Sequence, residues 1–209
     1  MQAQNVFRIG RKPDPWLLSW ALVHDDGTFG NRYDDPHSSY GVIYAATKRF
    51  GCFVETLARF RIDPVLAAEM AKIHGDDDFY PMGNVPPEWL SERVMGNALV
   101  HGECADIYNS EWIDKLRIKL LPQLQALGLK EVDAAVLHSS VRPVTQLISR
   151  IVYDLKLKGI KYPSKFGYDI ENWAFFAPVK LDPKVTEILE AHDPDLLHAL
   201  ALHHLVLGS

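Results

Sequence analysis

Two side chains near the start of the chain, Arg32 and Tyr44, are of types that bind ligands. Arg32 lies beside Gly30 in an irregular stretch, where a guanidinium can reach a phosphate bidentately while the backbone comes close. Tyr44 lies in an apolar run, so its hydroxyl needs a hydrogen-bond partner or its ring needs a ligand to contact. An exposed turn arginine and an ordinary core tyrosine are the alternative interpretations, and the sequence leaves them open.

A carboxylate and a hydroxyl are the next candidates. Glu55 lies at the margin of an apolar helical face, where it can line a pocket. Arg59 follows one turn later, so a surface ion pair worth about 0.3–0.5 kcal/mol is an equal alternative. Ser164 follows a short apolar segment, a place where hydroxyls often contact ligands. No Gly-x-Ser-x-Gly sequence surrounds Ser164, so we expect no hydrolase nucleophile there, and a turn serine is the alternative.

The pattern of apolar residues predicts the elements that must position these side chains. Extended, β-branched segments predict strands at residues 6–9, 41–46, 93–100, 160–162 and 173–177. Helical spacing predicts helices at residues 50–60, from Asp63, at 112–127 with a bend or split at Pro122, at 144–155 with a stop at Gly159, and two in the tail from near Asp182 and Pro194. Strands and helices intermix, which predicts an α/β or an α+β domain, and we expect a single α+β domain.

The composition limits the class of protein. A chain of 209 residues with 47% hydrophobic and 23% charged residues can bury one sizeable core. The net charge of -5 argues against a nucleic-acid-binding surface, and no apolar stretch approaches the length of a membrane span. Cys52 and Cys104 cannot form a disulfide framework, so we expect a reducing, intracellular location. Residues 75–87, with three aspartates and three prolines, are predicted to form a surface loop within the domain.

The histidines do not predict a metal site. His192, His198, His203 and His204 are grouped in the tail, but no His-Glu-x-x-His sequence accompanies them. His101, Gly102 and Glu103 match the start of a zinc deaminase motif, whose Cys-x-x-Cys is absent. No Gly-x-Gly-x-x-Gly sequence supports a Rossmann-type fold, and no P-loop sequence supports a nucleotide triphosphatase.

Five segments, taken in order, resemble the motifs of the RES domain family, which is named for an arginine, a glutamate and a serine. The family pattern runs Gly-x-Arg, an apolar strand ending in Leu-Tyr-x-Ala, a helix bearing Glu, then Gly-Ile-x-Tyr-Pro-Ser and an aromatic-rich strand. The corresponding segments here are residues 30–32, residues 43–46, Glu55, Gly159–Ser164 and residues 173–176. Their joint order and spacing carry the resemblance, which spans about residues 6–177.

The resemblance implies that the chain binds NAD and breaks its nicotinamide–ribose bond, by hydrolysis or by phosphorolysis. Carried over by position, Arg32 holds a phosphate of NAD, Tyr44 packs against the nicotinamide end and Glu55 contacts the nicotinamide ribose. Ser164 bonds the ligand nearby, and Arg8 matches an early family arginine that makes a second phosphate contact. A carboxylate suits this reaction because the bond breaks through an oxocarbenium-like state, and nicotinamide leaves neutral without a general acid.

The resemblance also implies an ADP-ribosyltransferase-like fold. We expect residues 1–180 to form the NAD-binding domain and residues 181–209, which have no clear counterpart in the family pattern, to form a helical tail packed on it. The resemblance implies a toxin that pairs with an antitoxin protein and uses NAD as a substrate. From the composition and the motifs, we expect a cytoplasmic protein that needs no metal and contacts neither nucleic acid nor membrane. The alanine-rich tail offers a surface for homodimer or antitoxin contact, with ordinary core packing as the alternative. Two other functions stay open: a mono-ADP-ribosyltransferase acting on a protein, and a non-catalytic interaction domain that keeps only the fold.

Overall fold

The structure, a computed structural model, describes residues 3–18, 30–74, 81–126, 128–138 and 142–208. The strands in these ranges are Ala3–Arg11 (β1), Val42–Ala46 (β2), Gly83–Val85 (β3), Arg93–His101 (β4), Cys104–Asp106 (β5), Gly159–Ser164 (β6), Gly167–Phe176 (β7), Leu181–Ile188 (β8) and Leu205–Leu207 (β9). The helices are Arg49–Leu57 (α1), Pro64–His74 (α2), Glu88–Ser91 (α3), Ser110–Ala126 (α4), Ala134–His138 (α5), Arg142–Asp154 (α6) and Pro194–His203 (α7). A 3-10 turn, Ala58–Phe60, extends α1.

One mixed sheet of seven strands organises the fold, in the order β5-β6-β7-β2-β1-β4-β8. Neighbouring strands run antiparallel except for the parallel pair β5 and β6. The central strand β2 pairs Tyr44 with Ala174 of β7 on one side and Ala46 with Phe7 of β1 on the other. Strands β3 and β9 form a separate parallel pair. The prediction of a single α+β domain with a mixed sheet is confirmed.

Alternation along β2 divides its side chains between the two faces of the sheet. Val42 and Tyr44 pack with the apolar cluster that includes α4 and α6, and Ala46 packs with the cluster that includes α1 and α7. Ile43 and Ala45 contribute to a third cluster on the opposite face. Two groups of helices therefore share one face of the sheet, and Tyr44 and Ala46 lie where these groups meet.

Most predicted elements are confirmed. They could be predicted because their apolar patterns and capping residues lie close together in the sequence. The five predicted strands correspond to β1, β2, β4, β6 and β7, and the predicted helices of the first three quarters of the chain correspond to α1, α2, α4 and α6. Asp63 caps α2, since its Oδ1 accepts a hydrogen bond from the Val65 amide at 2.8 Å. Asp193 caps α7 by accepting from the Asp195 amide at 2.9 Å, so the predicted helix from Pro194 is also confirmed.

The predicted helix from Asp182 is wrong. Residues 181–188 form strand β8, which pairs antiparallel with β4 at the edge of the sheet. The β-branched residues Val185, Thr186 and Ile188 suit a strand, and pairing with an otherwise open edge outweighs a weak helical pattern. The segment after residue 180 is therefore helical only in α7.

Two other boundaries differ from the prediction. Helix α4 runs through Pro122 without the split that is one of the two predicted effects of this proline, because Leu116, Leu120 and Leu124 bury one continuous helical face on both sides of it. Helix α6 ends at Asp154 rather than at Gly159, which begins β6. A Cβ at Gly159 would lie 2.5 Å from the Ala174 carbonyl oxygen, so this glycine serves the close approach of β6 and β7.

Residues 75–80 of the predicted loop lie outside the described residues. Of the part that follows, Gly83–Val85 is a strand rather than irregular, because it pairs with β9 from the far end of the sequence. Residues 30–39 are described and form neither helix nor strand, as predicted for the irregular stretch around Arg32. No helix of the described ranges is long and apolar enough to cross a membrane.

Candidate active site

A cavity of about 360 Å³ opens where the two groups of helices meet on the sheet. Its walls come from β1, β2, α1, the loop at residues 31–32, the first residue of α6, and the β6–β7 hairpin. The lining residues are Arg8, Ile9, Asn31, Arg32, Tyr44, Ala45, Ala46, Gly51, Cys52, Glu55, Thr56, Arg59, Arg142, Tyr162, Lys165 and Asn172. Four of the five residues predicted for the site line this cavity, and the fifth, Ser164, contacts it through Glu55.

One oxygen of the Glu55 carboxylate is held by two side chains. Its Oε1 accepts hydrogen bonds from Ser164 Oγ at 2.6 Å and from Asn172 Nδ2 at 2.7 Å. Ser164 and Asn172 are only 3% and 1% exposed, and Ser164 Oγ also accepts from the Phe166 amide at 3.0 Å. Within the described residues, no hydrogen bond to Oε2 is found. The carboxylate is therefore fixed through one oxygen and presents the other to the cavity.

The alternative of a Glu55–Arg59 ion pair is not realised among the described residues. Arg59 Nε instead donates to the Thr56 carbonyl at 3.4 Å, and its side chain lines the cavity separately. Ser164 is buried and donates to a carboxylate, so its hydroxyl orients Glu55. The serine ends β6, where the register to β7 shifts between Pro163 and Ser164 and turns the hydroxyl toward α1.

Helix α1 carries Glu55 and lies close against the sheet. A Cβ at Gly51 would lie 2.9 Å from Ile170 Cγ2 and 3.1 Å from Ala46 Cβ, so only a glycine lets the helix approach this closely. Gly51 precedes Glu55 by four residues and therefore shares its helical face. From the other side, His203 of α7 bonds the Val54 carbonyl through Nε2 at 2.8 Å.

The Tyr44 hydroxyl is engaged within the protein. It donates to Asp34 Oδ1 at 2.8 Å and accepts from the Tyr33 amide at 2.9 Å. Burial, followed by the charge of Asp34, raises the pKa of Tyr44 well above its usual value, so the phenol stays protonated. The ring lines the cavity, and the hydroxyl fixes the loop that contains Arg32.

Asp34 is a site component that the sequence analysis missed. It is 3% exposed, and its Oδ2 accepts from the Asn31 amide at 2.8 Å while its Oδ1 accepts from Tyr44. Burial raises the pKa of Asp34, and its hydrogen bonds act in the opposite direction. An aspartate three residues after Asn31 in a glycine-containing loop is a recognisable turn signal, but the buried tyrosine partner is not visible in the sequence.

In the part of the chain that the structure describes, the cavity has more positive than negative lining side chains. The acidic one is Glu55, and the basic ones are Arg8, Arg32, Arg59, Arg142 and Lys165. Arg8 also bridges strands, since its Nε donates to the Pro15 carbonyl and its Nη1 to the Tyr44 carbonyl, both at 2.6 Å. This charge distribution favours a ligand with several negative charges and one positively charged or hydroxyl-bearing end.

Two further cavity residues are a buried cysteine, whose protonation excludes a thiolate nucleophile, and a tyrosine that forms an aromatic wall. Cys52 lines the cavity, but burial raises the pKa of its thiol to about 12, so it is not a thiolate nucleophile at neutral pH. Tyr162 of β6 forms an aromatic wall, with its ring centroid 4.7 Å from that of Tyr33. Its pKa is raised by burial first and by the charge of the Glu55 carboxylate next, and both residues line the cavity.

The tail histidines do not form a metal centre in the part of the chain that is described. His203 bonds a backbone carbonyl, His198 stacks on Phe50, and His192 pairs with Glu190. No group of three or more histidine, cysteine, aspartate or glutamate side chains in the described ranges is arranged to hold a metal ion.

The sequence analysis also missed Arg142, Lys165, Tyr162 and Asn172 as cavity residues. The sequence does contain a feature that could predict Asn172 as a site residue, namely its position as a polar residue directly before the predicted aromatic strand at 173–177. Its side chain shares the face of Ala174, two residues on. Arg142 begins α6, more than 80 residues after Glu55, and only the tertiary fold brings it to the cavity.

Comparison with known proteins identifies the family. The model of the RES domain matches residues 5–194. Among solved structures, the chain is similar to one described as the crystal structure of the M.tuberculosis MbcT-MbcA toxin-antitoxin complex, at 15% sequence identity and a TM-score of 0.51, covering 88% of this chain and 84% of that chain. That likeness concerns the fold, and a comparison with curated proteins gave no match. With its family model matched over most of its length and its arginine, glutamate and serine at one cavity, this chain belongs to the RES domain family.

Proposed function

We propose that this protein is an enzyme that binds NAD and breaks its nicotinamide–ribose bond. The observation that carries the proposal is the anchored carboxylate of Glu55, with one oxygen fixed by Ser164 and Asn172 and the other facing a cavity rich in basic side chains. NAD combines the features that such a cavity recognises, namely a negatively charged diphosphate and a ribose that becomes positively charged during the reaction.

In the proposed reaction, the bond between ribose C1′ and the pyridinium nitrogen breaks. Its electron pair stays with nicotinamide, which leaves neutral, so no general acid is required. The ribose becomes oxocarbenium-like, and the carboxylate of Glu55 stabilises this developing positive charge. The acceptor then bonds to C1′. Water gives ADP-ribose after losing a proton, and inorganic phosphate gives ADP-ribose phosphate, with the new phosphate on C1′.

The other cavity residues receive roles from their positions. Arg32 binds the diphosphate through its planar guanidinium, and Arg8 supplies a second cation from β1. The rings of Tyr44 and Tyr162 enclose the reacting end and reduce its access to water. Ser164 acts through Glu55, whereas the family resemblance suggested direct contact with the ligand.

We test the activity with NAD labelled separately in its nicotinamide and adenine parts, with and without phosphate, and with and without bacterial protein extract. We expect nicotinamide release by the wild-type protein. Glu55→Gln removes the charge but keeps the shape, so kcat should fall by about 10²- to 10³-fold. Glu111→Gln, at an exposed position on α4, is the matched control and should match the wild type.

The product that carries the adenine label identifies the acceptor. Adenine label in ADP-ribose indicates hydrolysis, label in ADP-ribose phosphate indicates phosphorolysis, and label on protein indicates ADP-ribosyl transfer. Intact NAD under all these conditions would contradict the proposed activity and favour a non-catalytic interaction domain.

We further propose that the protein is the toxin of a toxin–antitoxin pair, acting in the cytoplasm on cellular NAD. Family membership and the fold shared with a structure of such a complex support this proposal. Expression of the wild-type chain in a bacterial host should lower cellular NAD and stop growth, and Glu55→Gln should do neither. Co-expression of the reading frame next to this gene should restore growth. Normal growth and NAD content with the active enzyme would contradict the toxin role.

A further inference from the structure

We infer that Asp34 and the Tyr44 hydroxyl form a buried clamp that sets the position of Arg32 for the diphosphate of NAD. This inference rests on the proposed function and assigns Asp34 as a positioning residue rather than a catalytic one. It also separates two roles of Tyr44, because the ring lines the cavity while the hydroxyl belongs to the clamp.

The clamp fixes the backbone on both sides of Arg32. Before Arg32, the Asn31 amide donates to Asp34 Oδ2 at 2.8 Å. After Arg32, the Tyr33 amide donates to the Tyr44 hydroxyl at 2.9 Å, and that hydroxyl donates to Asp34 Oδ1 at 2.8 Å. The two amides that flank the arginine are therefore joined through one carboxylate and one phenol, and β2 provides the fixed support.

Helix α6 completes the fixation through the carbonyl groups of the same two residues. Gln146 Nε2 donates to the Asn31 carbonyl at 3.2 Å, and Ser149 Oγ donates to the Tyr33 carbonyl at 2.6 Å. The loop that carries Arg32 is thus bonded to both β2 and α6, and α6 brings Arg142 to the same cavity.

A carboxylate suits the clamp because it accepts hydrogen bonds at both oxygens, so Asp34 can accept from Asn31 and Tyr44 together. An asparagine can accept at only one of these atoms. With its oxygen facing the Asn31 amide, its N–H can only donate to the Tyr44 hydroxyl, whose own O–H then loses its acceptor. Asp34→Asn is therefore a nearly isosteric change that removes the charge and the Tyr44-to-Asp34 hydrogen bond, and Tyr44→Phe removes the hydroxyl while keeping the ring.

The test measures binding of inorganic pyrophosphate and of ADP-ribose by titration calorimetry, together with steady-state kinetics on NAD. We expect Asp34→Asn and Tyr44→Phe each to weaken binding of both ligands and to raise KM by about tenfold. Because the clamp acts on binding, kcat and inhibition by nicotinamide should stay near wild-type values. Asp114→Asn, at an exposed position on α4, is the matched control.

A double-mutant cycle distinguishes positioning from a general loss of structure. In a chain that already carries Arg32→Ala, Asp34→Asn should cause no further loss of pyrophosphate affinity, although any effect on thermal stability should persist. If Asp34→Asn lowers pyrophosphate affinity equally in the wild-type chain and in the Arg32→Ala chain, the inference is overturned. A Tyr44→Phe effect on kcat and nicotinamide inhibition that Asp34→Asn does not share would also overturn it, because it would assign the hydroxyl to the reacting end.

The inference and the proposed function fail in different ways. If the wild-type protein leaves NAD intact and binds neither pyrophosphate nor ADP-ribose, the proposed function is wrong. If the wild-type protein binds them and both clamp variants bind equally well, the proposed function stands and the clamp is wrong.

Discussion

The carboxylate of Glu55 receives both of its protein hydrogen bonds on one oxygen, from Ser164 and Asn172. A carboxylate held in this way loses little freedom when it meets a developing positive charge, because its orientation is set before substrate binds. The two donors are buried and neutral, so they orient the carboxylate without neutralising its charge. The catalytic contribution of Glu55 should therefore depend on both neighbours.

The serine provides a sharp test of this dependence. Ser164→Ala removes one hydrogen bond to a charged group, which is typically worth about 1.5–3 kcal/mol, and leaves the Phe166 amide without its acceptor. We expect kcat to fall by about tenfold or more, with little change in KM. Steady-state kinetics on NAD measure both constants. A raised KM with an unchanged kcat would instead assign Ser164 to direct contact with the ligand.

At the residue scale, sequence motifs located much of the cavity but not its supporting contacts. Arg32, Tyr44 and Glu55 could be predicted because their order along the chain resembles a family pattern, and they do line one cavity. Their individual partners could not be predicted, since the Asp34 and Asn172 contacts join side chains that only tertiary packing brings together. The most useful sequence signal of such a partner is a polar residue inside an aromatic strand, such as Asn172.

At the scale of elements, helix α1 is the part of the fold that sets the position of the Glu55 carboxylate, which we propose is catalytic. It packs against β2 and β7 through Gly51 and is bonded to the tail helix α7 through Val54 and His203. Its first residue, Arg49, pairs with Asp193 at 2.6 Å and with Glu187. A small displacement of this helix would move Glu55 away from its two donors.

A substitution at Gly51 should reveal this sensitivity. Gly51→Val places a branched side chain against Ile170 and Ala46, and overpacking of this kind typically costs about 1–3 kcal/mol. We expect a lower free energy of unfolding in urea and a lower kcat. Adding Ile170→Ala creates space for the new side chain and should restore part of both. If Gly51→Val lowers stability while kcat is unchanged, α1 does not set the position of Glu55 in this way.

The contact between α7 and α1 should make stability depend on pH. Burial lowers the pKa of His203, with the nearby Arg61 and Lys165 acting in the same direction and the Val54 carbonyl and Glu55 opposing them. The folded state therefore binds this proton less tightly than the unfolded state. The resulting stabilisation is fully present above the unfolded histidine pKa of about 6.5 and is lost as pH falls below it.

Urea unfolding at pH 7.5 and pH 5.5 measures this effect. We expect the wild-type protein to lose more unfolding free energy between these two values than His203→Gln, which has no titratable ring at this position. His192→Gln removes an exposed histidine and should keep the wild-type pH dependence. Equal pH dependence of the wild type and His203→Gln would show that the buried ring does not contribute.

At the scale of the whole molecule, charge is distributed unevenly. The chain has a net charge of -5, yet among the described residues the cavity is lined by five basic side chains and one acidic side chain. A cavity of this kind attracts an anionic ligand to a protein whose remaining surface repels it. The attraction acts through partly exposed groups, so dissolved salt should weaken it.

Ionic strength gives the corresponding prediction. Raising salt from about 0.1 M to about 1 M shortens the Debye length from about 10 Å to about 3 Å. We expect KM for NAD to rise several-fold while kcat stays constant, as measured by nicotinamide release. Inhibition by nicotinamide, which is uncharged, should change little and serves as the control. A KM that is independent of salt would indicate that these cations do not steer the substrate.

The long-range connections of the sheet are the part of the fold that the sequence could not predict. Strands β8 and β9 pair with β4 and β3, which lie far away along the chain, and their own apolar patterns are short. The order of the seven strands likewise depends on pairings that no local pattern encodes. Fold class was predictable from intermixed periodicities, whereas the sheet order required the structure.

The bond between His203 and the Val54 carbonyl has a consequence for protein synthesis. A ribosome that has reached residue 180 has already made Arg32, Glu55, Ser164 and Asn172, but the nascent chain still lacks the helix that covers α1. We expect such a chain to hold its carboxylate loosely and to be inactive. A cell producing this protein would then meet the proposed activity only after synthesis has passed α7, which leaves an interval during translation for another protein to bind first.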